Sequence, residues 1–293
     1  CPGCGAVIEF DGIRHAADCP FCGTPVVVDT GKTRRIKPRA LLPFAIDEDM
    51  ARKALGEWLG SLWFAPSGLA AYARKGRRMR GIYVPYWTFD AATRSDYRGE
   101  RGVVHTVTRT RTVNGERRTV REQRIRWTPA RGTVSRFFDD VLVLGSTSLP
   151  QKYTDGLEPW DLAALEPYRP EFLAGFGAEG YTVDLDEAFA AARQKMARVI
   201  ERDVRFDIGG DRQRIHAIDT EYRDVTFKHI LLPVWTAVYR YRGKPYRFVV
   251  NGRTGRVQGE RPWSGWKLAV AITLGALVAG AVGYFIATTQ GAP

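Results

Sequence analysis

Hydrophobic positions change period several times along the chain. Between Asp47 and Trp63, Leu55, Trp58, Leu59 and Leu62 recur three and four apart, and Asp47 stands where a capping carboxylate belongs. That spacing predicts a helix with one buried face. Asp184 to about Asp203 repeats the pattern with Phe189, Met196, Val199 and Ile200 turned to the core, and a further helix is expected after Pro66, carrying Leu69 and Tyr72. Elsewhere the period shortens to that of strands. Phe137–Leu144 holds an apolar run, and Arg214 to Val257 reads as a meander whose last turn is marked by Asn251-Gly252 and Thr254-Gly255.

Two of these stretches resemble each other. GIYVPYWTFDAATRSDYRG (81–99) and HILLPVWTAVYRYRG (229–243) share an apolar pair, Pro, one residue, Trp-Thr, then Tyr-Arg-Gly. The pattern predicts a duplicated β unit within one pseudo-symmetric domain. At the C-terminal end the period vanishes: Leu268–Ala287 are 20 residues without a charge, flanked by Trp263, Trp266 and Tyr284. A helix of that length is about 30 Å long, the thickness of a bilayer core. Arg253, Arg256, Arg261 and Lys267 precede it and no charge follows, so the positive-inside rule puts the remainder of the chain in the cytoplasm. Ala271, Gly275, Ala279 and Gly283 fall four apart, a spacing that lets two such helices pack and form a homo-oligomer.

All four cysteines fall in the first 22 residues, as C-P-G-C-G and C-P-F-C-G: Cys1, Cys4, Cys19 and Cys22. Two C-x-x-C pairs at this separation predict a tetrahedral four-thiolate Zn2+ site, closed and therefore structural. The competing readings are two disulfides or a redox C-x-x-C, the latter without the βαβ context it needs. Thiolates kept reduced agree with a cytoplasmic location. The first residue being Cys1, the sequence is expected to be part of a longer chain.

Composition adds a bias of charge. Formal net charge is +12 and the sequence pI about 9.7, which excludes an acidic solvating protein and favours anionic partners. Much of the excess is local: residues 101–136 hold ten arginines against Glu116 and Glu122. Asn114-Gly115 predicts a two-residue hairpin in which Val113 faces Glu116 and Arg111 faces Arg118. Neither face is then apolar enough to lie on a core. The hairpin is expected to project into solvent or onto an anionic surface through Arg109, Arg111, Arg117, Arg118, Arg121, Arg124 and Arg126. Lipid headgroups, nucleic acid, an acidic protein, or solvent alone all satisfy that pattern.

Catalytic motifs do not complete. Gly31-Lys32-Thr33 resembles the end of a phosphate-binding loop, but Val26 stands where its first glycine is required. Asp139-Asp140 is the one candidate acidic pair, at a position where such pairs are usually structural. The expectation is a protein that is not an enzyme.

Several strings together carry a family resemblance: CPGCG…CPFCG, KPRALLPFAID (37–47), GIYVPYWTFDA (81–91), RWTPARGTVSRFFDDVLVLGS (126–146), DIGGD (207–211) and YRFVVNGRTGRVQGERP (246–262). The chain resembles bacterial membrane-anchored proteins with a TFIIB-type zinc ribbon, often labelled as primosomal protein or superfamily II helicase, a label the missing nucleotide motifs do not support. The resemblance implies a membrane adaptor at the inner membrane, associated with SPFH-domain or phage-shock-type proteins, with only Cys1, Cys4, Cys19 and Cys22 carried over as ligands. The expected architecture is α+β: a zinc ribbon (1–29), a central α+β domain (30–262) with an internal duplication, and a transmembrane anchor (263–293, span 268–287). The expected function is docking protein partners at the membrane; the alternative is a membrane-tethered nucleic-acid-binding protein.

Overall fold

The computed structural model describes residues 3, 6–9, 16–19, 21–22, 24–27, 36–63, 79–113, 116–241, 244–260 and 264–290. Cys1, Cys4, Trp263 and the helix expected after Pro66 lie outside them.

The α+β reading, with an N-terminal zinc ribbon as its own element, is corrected by the sheet. Nine described strands form one mixed sheet, and the helices Glu48–Ser61 and Leu185–Ile208 pack against it. The strands are β1 (Val7–Glu9), β4 (Ala40–Leu41), β5 (Arg80–Val113), β6 (Glu116–Leu144), β7 (Glu166–Pro167), β8 (Gly177–Gly180), β9 (Arg212–Tyr241), β10 (Lys244–Asn251) and β11 (Val257–Gly259). β2 (Ala16–Asp18) and β3 (Pro25–Val27) form a separate hairpin. β1 joins the main sheet, pairing antiparallel with β8. Most of the sheet is in β5, β6 and β9, of 34, 29 and 30 residues. These far exceed a usual strand of about 5–6 residues. They escape an apolar-run search because much of their length is alternating: residues 91–99 are buried at odd positions and mostly exposed at even ones.

The two similar sequence stretches are adjacent antiparallel strands at the centre. Val84 pairs with Leu232, Pro85 with Leu231 and Tyr83 with Pro233, so a local twofold axis passes through the Val84–Leu232 pair. The neighbours obey it. β8 pairs parallel with Ile82–Tyr83 and β4 pairs parallel with Ile230–Leu231. Gly145 N–H donates to the Pro85 carbonyl at 2.9 Å, and Gly252 N–H to the Pro233 carbonyl at 2.8 Å.

Four helices are described: α1 (Glu48–Ser61), α2 (Gln151–Asp155), α3 (Leu185–Ile208) and α4 (Gly265–Gln290). α1 begins at Asp47, whose carboxylate accepts from Met50 N–H at 2.8 Å, satisfying one of the orphan donors of the first turn. It buries Ala51, Leu55 and Leu59 against Trp235, Phe248 and Val250. α3 buries a four-residue repeat, Ala188, Ala192, Met196, Ile200, Val204 and Ile208, against Trp87 and Phe89. The twofold reaches the helix entries as well. Trp87 Nε1 donates to the Val183 carbonyl and Trp235 Nε1 to that of Ile46, each at 3.0 Å. Both acceptors immediately precede an Asp at the helix cap. The opposite sheet face, through Ile82, Val84, Tyr86, Ile230, Leu232 and Val234, is covered by Ala6, Cys19, Phe21, Leu149, Leu157 and Trp160.

Candidate functional site

The sheet carries two different structures at its two ends. At one end β9 stops pairing with β5 at Gly102, opposite Arg212. The stop is built by Gly209 and Gly210, which turn the chain out of α3 with φ of 65° and 75°. A Cβ on Gly210 would lie 2.8 Å from the Gly102 carbonyl oxygen, so only glycine allows this approach. Asp211 then closes the ladder: its N–H donates to the Gly102 carbonyl and its carboxylate accepts from Val104 N–H at 2.7 Å.

Beyond that point β5 and β6 continue alone, from Val103↔Arg126 to Val113↔Glu116. Eleven residues in each strand make an arm about 36 Å long. The register is that expected from Asn114-Gly115, with Arg111 opposite Arg118. Pairing parity puts Arg109, Arg124 and Arg126 on one face, and Arg121 on the other with Thr106, Thr108, Thr110 and Gln123; the side chains of Arg111, Arg117 and Arg118 lie outside those described. Arg109, Arg121, Arg124 and Arg126 are exposed. Arg124 lies 3.3 Å from Glu122, whereas Arg109, Arg121 and Arg126 have no ion pair among the described residues. The arm is braced at its base, where the Arg214 guanidinium sits 3.9 Å over the Trp127 ring and 3.4 Å from Glu100.

At the other end is α4. Gly265–Gly283 has a mean hydropathy of 1.7 and is entirely unburied, one helix long and apolar enough to cross a membrane among the described residues. Ala271, Gly275, Ala279 and Gly283 lie on it, with nothing within 4 Å of a Cβ placed at Gly275 or Gly283. Its position follows from the sheet. β11 runs from Val257, level with Trp235 and Gly81, to Gly259, level with Ala237 and so beyond Arg80. The chain therefore leaves β11 away from the arm. Lys267 Nζ donates to the Trp63 carbonyl at 3.2 Å, tying the first turn of α4 to the end of α1. From Arg80 to the arm tip is at most about 110 Å of strand. Arg253 and Arg256, counted toward the charge bias beside the span, make contacts within the domain: Arg253 lies 3.4 Å from Asp161, and Arg256 donates to the Glu158 carbonyl.

Of the four cysteines, Cys19 and Cys22 are described. Cys19 is buried and its N–H donates to the Thr24 carbonyl at 2.7 Å; Cys22 Sγ lies 3.1 Å from Thr24 Oγ1. A Cβ on Gly3 would lie 3.3 Å from Cys22 Sγ.

Asp139-Asp140 belongs to a strand irregularity. β6 and β9 each carry an extra residue opposite the Asp90–Ala91 region, with Asp140 and Asp224 at φ of 50° and 51°, a region Asp tolerates better than most residues. Asp90 accepts from Asp140 N–H at 2.8 Å and from the Thr226 hydroxyl at 2.9 Å. Burial pushes its carboxyl up, but these donors and Lys228 together hold it below the usual range. Asp90, Asp139 and Asp140 lie within 4.8 Å of one another, and Lys228 Nζ, 3.0 Å from Asp140, supplies the opposing charge.

Sequence reasoning passed over Glu179. It is 2% exposed on β8, accepts from Ser146 Oγ at 2.5 Å, and its second carboxylate oxygen has no hydrogen-bond partner among the described residues. Burial pushes its carboxyl up to about 7. No signal in the string around it separates such a carboxylate from a solvated one. His229 is likewise internal: burial lowers its pKa, and Nδ1 lies 2.9 Å from the Ile36 carbonyl oxygen.

The chain is 26% identical over 235 residues to the uncharacterized protein YdjG of Bacillus subtilis. The match takes in 80% of this chain and 66% of the relative, so the chain spans slightly less than two thirds of that protein's length. No family model matches the chain, and no solved structure matches it.

Proposed function

We propose that this protein is a single-span membrane adaptor of the bacterial inner membrane, with its sheet domain on the cytoplasmic side and its arm presented to a protein partner. The observation that carries the reading is the separation of an unburied apolar helix and an arginine-bearing arm to opposite ends of one sheet. An anchor at one end and a charged, solvent-surrounded ribbon at the other is the layout of a tether. Lys267 before the span supports the cytoplasmic orientation. Cys1, Cys4, Cys19 and Cys22 hold a structural Zn2+ in this reading, fixing the N-terminal hairpin against the sheet. The family resemblance supplies the partner class: SPFH-domain or phage-shock-type membrane proteins. The small-residue face Ala271, Gly275, Ala279 and Gly283 is the surface by which two anchors pair in this reading.

A membrane-tethered nucleic-acid-binding role is the second reading. It is favoured by the arm being a two-stranded ribbon, a shape the major groove of duplex DNA admits.

The test is purification of the full-length protein from membranes in mild detergent, beside a variant with Arg109, Arg121, Arg124 and Arg126 changed to Gln. The adaptor reading expects protein partners with the parent, resistant to nuclease treatment and lost from the variant, and one zinc per chain in both. Nuclease-sensitive nucleic acid in their place sinks it in favour of the second reading. Disulfides between the cysteines, with no zinc, remove the metal assignment.

A further inference from the structure

We infer that the C-terminal end of α1, through Trp63, is a second membrane contact, seated in the lipid headgroup layer beside the anchor. This rests on the anchor reading of α4 and adds to it a surface from a distant part of the chain.

Trp63 lies two residues beyond Ser61, the last residue of α1, and is 81% exposed; Trp266, in the first turn of α4, is 78% exposed. Lys267, next to Trp266 in sequence, donates from Nζ to the Trp63 carbonyl at 3.2 Å. Lys267 is also the last charge before the uncharged stretch that starts at Leu268. With a rise of about 1.5 Å per residue, the hydrocarbon boundary falls within about one turn of Lys267. The headgroup layer outside that boundary is about 5–8 Å thick on each side. A residue whose backbone is hydrogen-bonded to Lys267 lies within that layer whenever α4 is inserted.

The chemistry of the patch fits the place. Indole is apolar with one polar N–H, and tryptophan concentrates at the boundary between hydrocarbon and water for that reason. The lysine keeps its ammonium at headgroup level while its stem lies along apolar surface. Trp58, one turn and a residue earlier, is held inward on Phe248 with ring centroids 5.6 Å apart. Trp63 is outside that packing, and its carbonyl is the group that meets the anchor. Two contacts on one bilayer, contributed by residues about 200 positions apart in the chain, restrict the tilt of the sheet domain in a way a lone helix cannot.

The test uses the full-length chain reconstituted into vesicles of phosphatidylcholine and phosphatidylglycerol, with a photoreactive benzoylphenylalanine in place of Trp63 and, separately, of Arg109. Lipid adducts are expected at position 63, with a yield at least about tenfold above that at position 109, which the strand rise holds far from the anchor. A chain resistant to carbonate extraction that gives no lipid adduct at 63, or crosslinks there to a second copy of the protein, overturns the inference and leaves the anchor intact. A chain extracted by carbonate overturns the anchor reading, and this contact with it.

Discussion

Removing α4 and the residues after it is expected to convert a carbonate-resistant membrane protein into a soluble, folded one. The helix is unburied throughout its apolar window, so its loss takes no packing from the sheet. Among the contacts given up is the Lys267–Trp63 hydrogen bond, and a single exposed bond of this kind contributes about 0.5–1.5 kcal/mol. The partition term is far larger, because each apolar residue of the span adds about 0.3–0.6 kcal/mol of insertion free energy. Cell fractionation with carbonate extraction checks the first half of the prediction. Circular dichroism and thermal unfolding of the released chain check the second. A truncated chain that stays in the membrane pellet would require another membrane-bound surface, and one that aggregates would show that α4 covers the domain.

The second large effect is expected at the arm. Changing Arg109, Arg121, Arg124 and Arg126 together to Gln should leave the fold intact, since exposed substitutions shift stability by less than about 0.5 kcal/mol each. Of the four, Arg124 alone has an ion-pair partner among the described residues, Glu122 at 3.3 Å, with both side chains well exposed. Binding should respond differently. If each arginine contributes about 0.5 kcal/mol to an anionic partner, losing four weakens binding about 30-fold. On immobilised heparin, a defined polyanion, the parent should elute at clearly higher salt than the variant. Parent binding should weaken steeply as salt shortens the screening length from about 10 Å at 0.1 M to about 3 Å at 1 M. Equal elution of the two would make the arm a solvated extension. A variant that unfolds would mean the arginines hold the sheet.

Why the arm could be read from sequence, and the full extent of the sheet around it could not, is a matter of which faces are buried. Asn114-Gly115 fixes a two-residue turn, and one turn sets the register of every pair behind it, so the Arg111↔Arg118 pairing was legible from that dipeptide. α1 and α3 were legible because one face of each is buried, which imposes a helical period, and because Asp47 marks a start. Of the sheet, strands were legible at 81–99, 137–144 and 214–257, but not how they join or how far they run. β4, β7 and β8 are two to four residues long, too short for any period to register. Their places are set by β5 and β9, which lie far away in sequence. The α+β reading followed from counting visible helices against visible strands, when most of the strand content was in charged, alternating sequence.

The candidate site divides in the same way. The apolar C-terminal helix is a local pattern and was legible as such. Its relation to the arm was not: that the arm and α4 leave opposite ends of the sheet depends on the direction of β11 relative to β5, with two strands between them. Trp63 and Lys267 meet through tertiary structure alone. Glu179 gives no sign of burial, because a carboxylate enters the interior only where neighbouring hydroxyls from other segments, here Ser146, meet it.

The central claim is that the sheet domain and its arm stand on the cytoplasmic side of a membrane that α4 crosses. Protease digestion of sealed vesicles of both orientations tests it most directly, using an epitope placed in the Asn114-Gly115 turn. The account predicts that the epitope is destroyed in inside-out vesicles and protected in right-side-out ones until detergent is added. Destruction in right-side-out vesicles would place the arm outside the cytoplasm and contradict it.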